Sequence, residues 1–168
     1  MTQATPHSFV PDPQNGRLLR DAFGRFATGV TVVTAASPEG CAAMTANSFS
    51  SISMDPPLVM WSPARASSRL PDFARATHFA IHVLSADQAD LAWAVARNRT
   101  ALDDAGLGVN AQGVPVLDRC LARFDCEQFD MHEAGDHMII LGRVLHALVS
   151  EGAPLAFYGG RIAGIVPA

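Results

Sequence analysis

The sequence contains no lysine: all twelve of its basic residues are arginine. A Schiff-base lysine and a P-loop lysine are therefore excluded, and lysine-based pyridoxal-phosphate chemistry with them. Any anion held by a side-chain cation must be held by arginine or protonated histidine. Cysteine is sparse as well. Cys41, Cys120 and Cys126 form an odd set with no CxxC pair, which reads as reduced thiols in a cytoplasmic protein. Together with the six histidines they show no four-ligand spacing, so no metal site is expected. No apolar run reaches the ~18 residues that span a bilayer, and the first residues lack the basic and apolar regions of a secretory signal, so no membrane partner is expected. A net charge of −4 without any basic block points away from nucleic acid. There is also no GxGxxG behind a strand, no GxSxG and no HExxH.

What is present describes one domain. The chain has 168 residues, 49% hydrophobic and 17% charged, which supports a packed core and excludes disorder. Residues 1–16, with Pro6, Pro11 and Pro13, read as an N-terminal arm, and residues 17–168 as the domain. Leu18, Leu19, Ala22, Phe23 and Phe26 share a helical face over residues 17–27, with Gly29 placed to end the helix. The β-branched run 30–36 predicts a strand, Ser37-Pro38-Glu39-Gly40 a turn, and residues 42–48 the return strand. Asp55-Pro56-Pro57 breaks the chain before a strand at 58–62. A further strand covers 78–84. Ser85 and Gln88 have capping-box spacing and open a helix through about residue 97. Residues 98–114 are polar and glycine-rich, the composition of a mobile loop that could gate a site. The stretch 120–149 reads as a long hairpin turning at residues 133–136, and Gly159-Gly160 splits two short terminal segments. Helices between strands would suit a parallel βαβ sheet, but the two short turns make antiparallel hairpins. The fold class expected is mainly β, a closed antiparallel barrel with a few peripheral helices.

Three segments are candidates for chemistry. Thr45-Ala46-Asn47-Ser48-Phe49-Ser50-Ser51 interleaves hydroxyl and amide side chains with small residues, which brings backbone close to a planar polar ligand. Its plainer reading is a polar strand and turn. Ala66-Ser67-Ser68-Arg69 combines hydroxyls, a cation and the start of a helix, the makings of a phosphate site; the plainer reading is a serine N-cap. Gly135-Asp136-His137 places a histidine at the first position after a β-turn, where it either enters a cleft or serves the turn.

In order and spacing, FATGVTVVTA, MTANSFSSISMDPPLVMWSP, ASSR, HFAIHVL, GDHMIILGRV and PLAFYGGRIAGI resemble the short-chain flavin reductases, the reductase components of two-component flavin-dependent monooxygenases. The resemblance covers residues 17–165. It implies an antiparallel split β-barrel of Greek-key type and an NAD(P)H:flavin oxidoreductase that supplies reduced flavin to a partner monooxygenase. The implied cofactors are FMN or FAD with NADH, NADPH being the other donor. The family also implies a homodimer. By resemblance, Thr28, Gly29, Val30 and Thr31, with Thr45, Ala46, Asn47, Ser48, Phe49, Ser50, Ser51 and Ile52, line the isoalloxazine and ribityl chain. Ser67 and Ser68 fall at the flavin phosphate, and Phe79, Ala80 and Ser85 at further flavin contacts. His137, the catalytic candidate, and the Tyr158, Gly159, Gly160 and Arg161 tail match the region that holds the nicotinamide dinucleotide. Many relatives use a lysine near the phosphate. Here Arg65, Arg69 and Arg97 are the candidates. Two alternatives stand beside this reading: an oxidase of the pyridoxamine-phosphate-oxidase type, and a non-catalytic flavin-binding module.

Overall fold

The computed structural model describes residues 7–103 and 105–165. Residues 1–6 of the expected arm and 166–168 of the last segment lie outside the described residues. In chain order the elements are α1 (Gly16–Phe23), β1 (Thr28–Gly29), β2 (Thr31–Ser37), β3 (Gly40–Ala46), β4 (Ser50–Met54), β5 (Pro57–Trp61), α2 (Leu70–Arg75) and β6 (His78–Val83). A single 3-10 turn (Ala86–Gln88) then leads into α3 (Ala89–Arg97), followed by β7 (Gly108–Val109), β8 (Pro115–Val116), β9 (Ala122–Ala134), β10 (His137–Val149), β11 (Ala156–Tyr158) and β12 (Arg161–Ala163).

Seven strands form one sheet in the order β3-β2-β6-β9-β10-β5-β4, and all its pairings are antiparallel. The class is mainly β, as the two hairpins in the sequence predict. Two-residue turns set both of them. Ser37 pairs with Gly40, and Ala134 with His137. Gly135 sits at φ +63°, a conformation that favours glycine and suits a tight hairpin. The two edge strands, β3 and β4, are consecutive in the chain. Laid flat, seven strands would set their edges about 29 Å apart, yet the three residues between Ala46 and Ser50 reach about 14 Å at most. The sheet must therefore curl until its edges meet at one end, and residues 47–49 bridge that split.

The curl explains the core. Strand β2 is buried on both faces, with Val32 and Val33 both inaccessible. Val33 faces a cluster inside the curl with Trp61, Phe73, Phe79, Ile81 and Ile140. Trp61 and Phe73 meet edge to face at 4.9 Å there, a geometry that adds roughly 0.5–1.5 kcal/mol to their area burial. Val32 faces a second cluster on the outer side with Leu84, Val95, Leu102, Leu117 and Leu155, roofed by α3 and the segment that follows it. A three-stranded sheet, β1-β11-β12, carries the end of the chain back to its start.

Several local expectations are revised. The helix α1 ends at Phe23, with Gly24 rather than Gly29 at its C-terminus, and it buries no residue. Its apolar face is patterned for cover that the described residues do not provide. The 98–114 segment is not a free loop. Leu102 and Val114 are buried, and three long-range hydrogen bonds pin its end and the residues just beyond. Thr34 Oγ1 donates to the Pro115 carbonyl (2.6 Å), Asn110 Nδ2 to Asp125 Oδ1 (2.9 Å), and the Leu117 N–H to His82 Nε2 (3.2 Å). The capping box is present as expected, with the Ser85 N–H donating to Gln88 Oε1 at 3.0 Å.

Candidate functional site

Where the split is bridged, the surface opens into a cleft of about 570 Å³. Its wall is assembled from segments far apart in the chain: the end of β3 with Asn47 and Ser48, the loop from Ser62 to Arg69, Ala96 of α3, and His137. Each is placed by identifiable bonds. Thr45 Oγ1 donates to the Ala92 carbonyl at 2.7 Å, tying β3 to α3. The Ser62 N–H donates to Ser48 Oγ at 2.8 Å, fixing the bridge to the end of β5. The Met138 N–H donates to the Pro63 carbonyl (2.9 Å) and the Arg65 N–H to the Asp136 carbonyl (2.8 Å), so the loop zips onto the start of β10 and sets His137 at the cleft.

The electrostatics of this lining are one-sided. The chain carries 16 acidic residues against 12 basic ones, yet among the described residues no acidic side chain lines the cleft, while Arg69 and His137 do. Arg69 Nη1 donates to two main-chain carbonyls, of Val95 at 2.7 Å and Ala43 at 3.2 Å. Neither partner carries a charge, so the guanidinium has no neutralising partner among the described residues. Burial, then repulsion from Arg99, pulls its pKa below the ordinary arginine value. Arg65 is engaged with Glu133 at 3.3 Å, and Arg97 stacks over Trp93, 5.2 Å from the ring centre. His137 Nδ1 lies 2.8 Å from Asp136 Oδ1. The hydrogen bond from the imidazole, then its charge, holds the Asp136 carboxyl below the usual carboxylate range.

A second cleft of about 490 Å³ adjoins the first and shares Asn47 with it. Phe23, Phe26, Thr28, Phe157, Gly159 and Gly160 contribute to its wall. The Gly159 N–H donates to the Gly24 carbonyl at 2.9 Å, which fastens the tail turn to the end of α1. Thr28 Oγ1 is shielded from solvent and has no partner among the described residues. A buried hydroxyl left in that state calls for a partner that the chain does not supply.

Of the residues singled out by sequence, Thr45, Ala46, Asn47, Ser48, Ser67, Ser68 and His137 meet in the first cleft, and Thr28, Gly159 and Gly160 in the second. Others are placed elsewhere. Val30, Thr31, Phe79 and Ala80 are buried, with no side-chain surface to offer a ligand of the single chain. Phe49 stacks on Phe124 with ring centres 5.5 Å apart. Gly29 pairs with Ala156, and Tyr158 and Arg161 are exposed on either side of the tail turn. Ser50, Ser51 and Ile52 lie exposed on the edge strand β4. Ser85 serves its capping box and lines a separate, shallow cleft with Asp118 and Arg119. Neither Ser67 nor Ser68 caps α2. The N-cap is Arg69, and Pro71 at the helix start sets the boundary there. Ser67 Oγ instead accepts from the Arg69 N–H at 3.3 Å. Sequence reasoning also missed the buried Asp125, which Arg123 (3.1 Å) and Asn110 surround. In an alternating strand Asp125 faces away from its neighbours Phe124 and Cys126, and its partners Asn110 and His146 (3.4 Å) are remote in sequence.

A model of the flavin reductase like domain family matches residues 23–165. The chain is 57% identical over 154 residues to the FMN reductase (NADH) SmoA of Agrobacterium fabrum, covering 92% of this chain and 88% of that protein. It is 40% identical over 146 residues to the reductase component of the flavin-dependent trigonelline monooxygenase of Acinetobacter baylyi, covering 86% of this chain but 47% of that longer protein. Among solved structures it matches the NADH:FAD oxidoreductase SgcE6 of Streptomyces globisporus C-1027, in complex with NAD and FAD fragments. That match has a TM-score of 0.85 and 34% identity, and it covers 95% of this chain and 98% of SgcE6.

Proposed function

Because the chain belongs to the flavin reductase-like domain family, we propose that the two adjoining clefts form one site where NADH reduces a flavin nucleotide, and that the reduced flavin supplies a separate monooxygenase component. The observation that carries the reading is the first cleft itself. A hydroxyl- and amide-rich wall, an arginine without a carboxylate partner among the described residues and no described acidic lining fit a planar polar ligand with an anionic tail. The orphaned Thr28 hydroxyl in the adjoining cleft fits a ligand that spans both.

The flavin, when bound, accepts hydride at N5 from the nicotinamide C4. The chain's own residues bind and orient. Ser67, Ser68 and Arg69 hold the phosphate, and Arg69 takes the place of the lysine that the sequence lacks. Asn47, at the junction of the clefts, donates to the carbonyl edge of the ring system, where negative charge develops. His137, steadied by Asp136, borders the face that the dinucleotide approaches. No residue need shuttle a proton between nucleophile and base, in keeping with the absence of any such motif. Stacking two rings at reacting distance is the protein's main contribution.

The same reading makes the chain a cytoplasmic homodimer with split-barrel protomers. Ile52 and Met54 on edge strand β4, together with Leu145, Leu148 and Val149 at the far end of β10, are large apolar side chains left exposed. A two-fold contact would cover them. The deciding assay follows NADH and NADPH oxidation with FMN, FAD and riboflavin under identical conditions. NADH consumption that requires added flavin is the expected result. A purified, folded chain that oxidises neither nucleotide with any flavin overturns the reading.

A further inference from the structure

The aromatic–cation pair on α3 has no part in the site as described. Trp93 is one of only two tryptophans, and it is exposed, whereas Trp61 is inaccessible in the core. The Arg97 guanidinium lies over the Trp93 ring, 5.2 Å from its centre. The pair belongs to the same helical face as Ala96, because residues at i, i+3 and i+4 line up on a helix. Ala96 in turn lines the first cleft beside Arg69 and Ser67. Trp93 therefore stands about one helical turn, ~5 Å, along α3 from the cleft wall. The helix is held in that position from beneath. Thr45 Oγ1 bonds the Ala92 carbonyl and Arg69 bonds the Val95 carbonyl, so the residues on either side of Trp93 and Ala96 are fastened to the floor.

From this juxtaposition we infer that Trp93 and Arg97 form a platform for an adenylate group, the indole face for the adenine and the guanidinium for its phosphate. The inference rests on the proposed reading that Ser67, Ser68 and Arg69 hold a flavin phosphate. A ligand that ends at that phosphate, such as FMN, has nothing to lay on α3. One that continues through a second phosphate and a nucleoside, such as FAD, crosses Ala96, which has no side chain beyond Cβ to obstruct it, and reaches the pair. Adenine takes the place of the guanidinium on the indole face, and Arg97, released from the ring, turns its charge to the phosphate. The same group is found in NADH, so the adenylate could belong to either nucleotide. The position beyond the flavin-phosphate end favours FAD.

The test compares the full-length chain with Trp93→Ala, Trp93→Phe and Arg97→Gln. Dissociation constants for FMN and FAD are measured by equilibrium dialysis, and the KM for NADH in the FMN-dependent reaction. Loss of a base-stacking aromatic is expected to weaken FAD binding about 5- to 100-fold in Trp93→Ala. FMN affinity should stay within about twofold, and Trp93→Phe should restore most of the FAD affinity. A rise in the NADH KM with both flavin affinities unchanged would also support the platform and assign it to the nicotinamide nucleotide. An unchanged FAD:FMN ratio together with an unchanged NADH KM in a folded variant overturns the inference, as does equal weakening of FMN and FAD. If the unaltered protein binds neither flavin, the underlying flavin reading fails first, and that result is distinct from any change in the ratio.

Discussion

Arg69→Gln separates two jobs of this arginine, one seen in the structure and one proposed. Its Nη1 bonds to the carbonyls of Val95 and Ala43 and joins α3 to β3. Its remaining donors, and its charge, face a cleft without acidic lining. The first job concerns stability. Two neutral-acceptor bonds from a charged donor to partly buried carbonyls contribute about 1–2 kcal/mol together after exchange with water. That amounts to a fall in Tm of about 2–8 °C for a domain of this size. The second job concerns the phosphate. A charge-assisted hydrogen bond to a phosphate oxygen is worth about 1.5–3 kcal/mol. Because Arg69 is not fully enclosed, about 2 kcal/mol is the appropriate figure, or roughly a 30-fold loss of FMN affinity. Riboflavin has the same rings and ribityl chain but no phosphate, and its affinity should move by less than about twofold. Titration of both ligands by flavin fluorescence, well below the variant's melting temperature, separates the effects. Arg69→Lys keeps the charge without the planar fork and should recover part of the FMN affinity. Equal losses for FMN and riboflavin would mean that Arg69 acts only through the α3–β3 junction, and the phosphate assignment would be refuted.

Other perturbations follow from the same coordinates. His137→Ala should reduce kcat/KM for NADH while FMN affinity is preserved, and unaltered single-turnover flavin reduction in the folded variant would remove His137 from the site. Gly142→Ala would place a Cβ 2.5 Å from Phe79 Cζ and 3.0 Å from Cys126 Cβ, inside a packed core. A loss of about 1–3 kcal/mol in urea unfolding is expected, and a variant as stable as the parent would show that β10 can shift to make room. Burial, first of all, lowers the His82 pKa to about 4, below the ordinary value near 6.5. Its neutral ring is locked between the Val32 carbonyl (3.0 Å) and the Leu117 N–H (3.2 Å). The unfolded chain takes up the proton more readily, so this contribution is complete above about pH 6.5 and is lost as the pH falls towards 4, about 3 kcal/mol in all. Urea midpoints at pH 7.5 and 4.5 should diverge less in His82→Gln than in the parent, and an equal divergence would refute the assignment.

Local patterns were legible wherever nearby residues decide the structure. The two-residue turns at Pro38-Glu39 and Gly135-Asp136 fix antiparallel hairpins, and the Ser85 and Gln88 spacing fixes a capping box. Legibility ended where the partner is remote in sequence. The polar, glycine-rich look of residues 98–114 suggested a mobile loop. Its restraint comes from Thr34, 81 positions away from Pro115, and from Asp125 beneath Asn110, and periodicity contains neither contact. Periodicity likewise shows that α1 has an apolar face but not whether the same chain covers it, and here it buries none of its residues. An arginine for the proposed phosphate site could not be chosen among Arg65, Arg69 and Arg97 because their charges look alike in sequence. Only the fold shows that Glu133 neutralises the first and that Trp93 engages the third, leaving Arg69 in the cleft.

The pinned 98–118 segment bears on how flavin would enter and leave. A gate must swing at low cost, but this segment buries Leu102, Val114, Val116 and Leu117 and holds three long-range hydrogen bonds. Lifting it would withdraw Leu102 and Leu117 from the outer core cluster and Val114 and Val116 from Ala80, which makes it part of the global fold rather than a lid. None of its described residues lines either of the two adjoining clefts. Exchange must therefore depend on the strength of the anchors. In the proposed site those anchors are two short serine hydroxyls and one arginine whose guanidinium is already divided between two carbonyls. A lysine-free phosphate site of this kind grips less firmly than one with several dedicated cations. That suits a flavin that is a substrate, bound oxidised and released reduced, and it removes the need for a moving loop to explain its release.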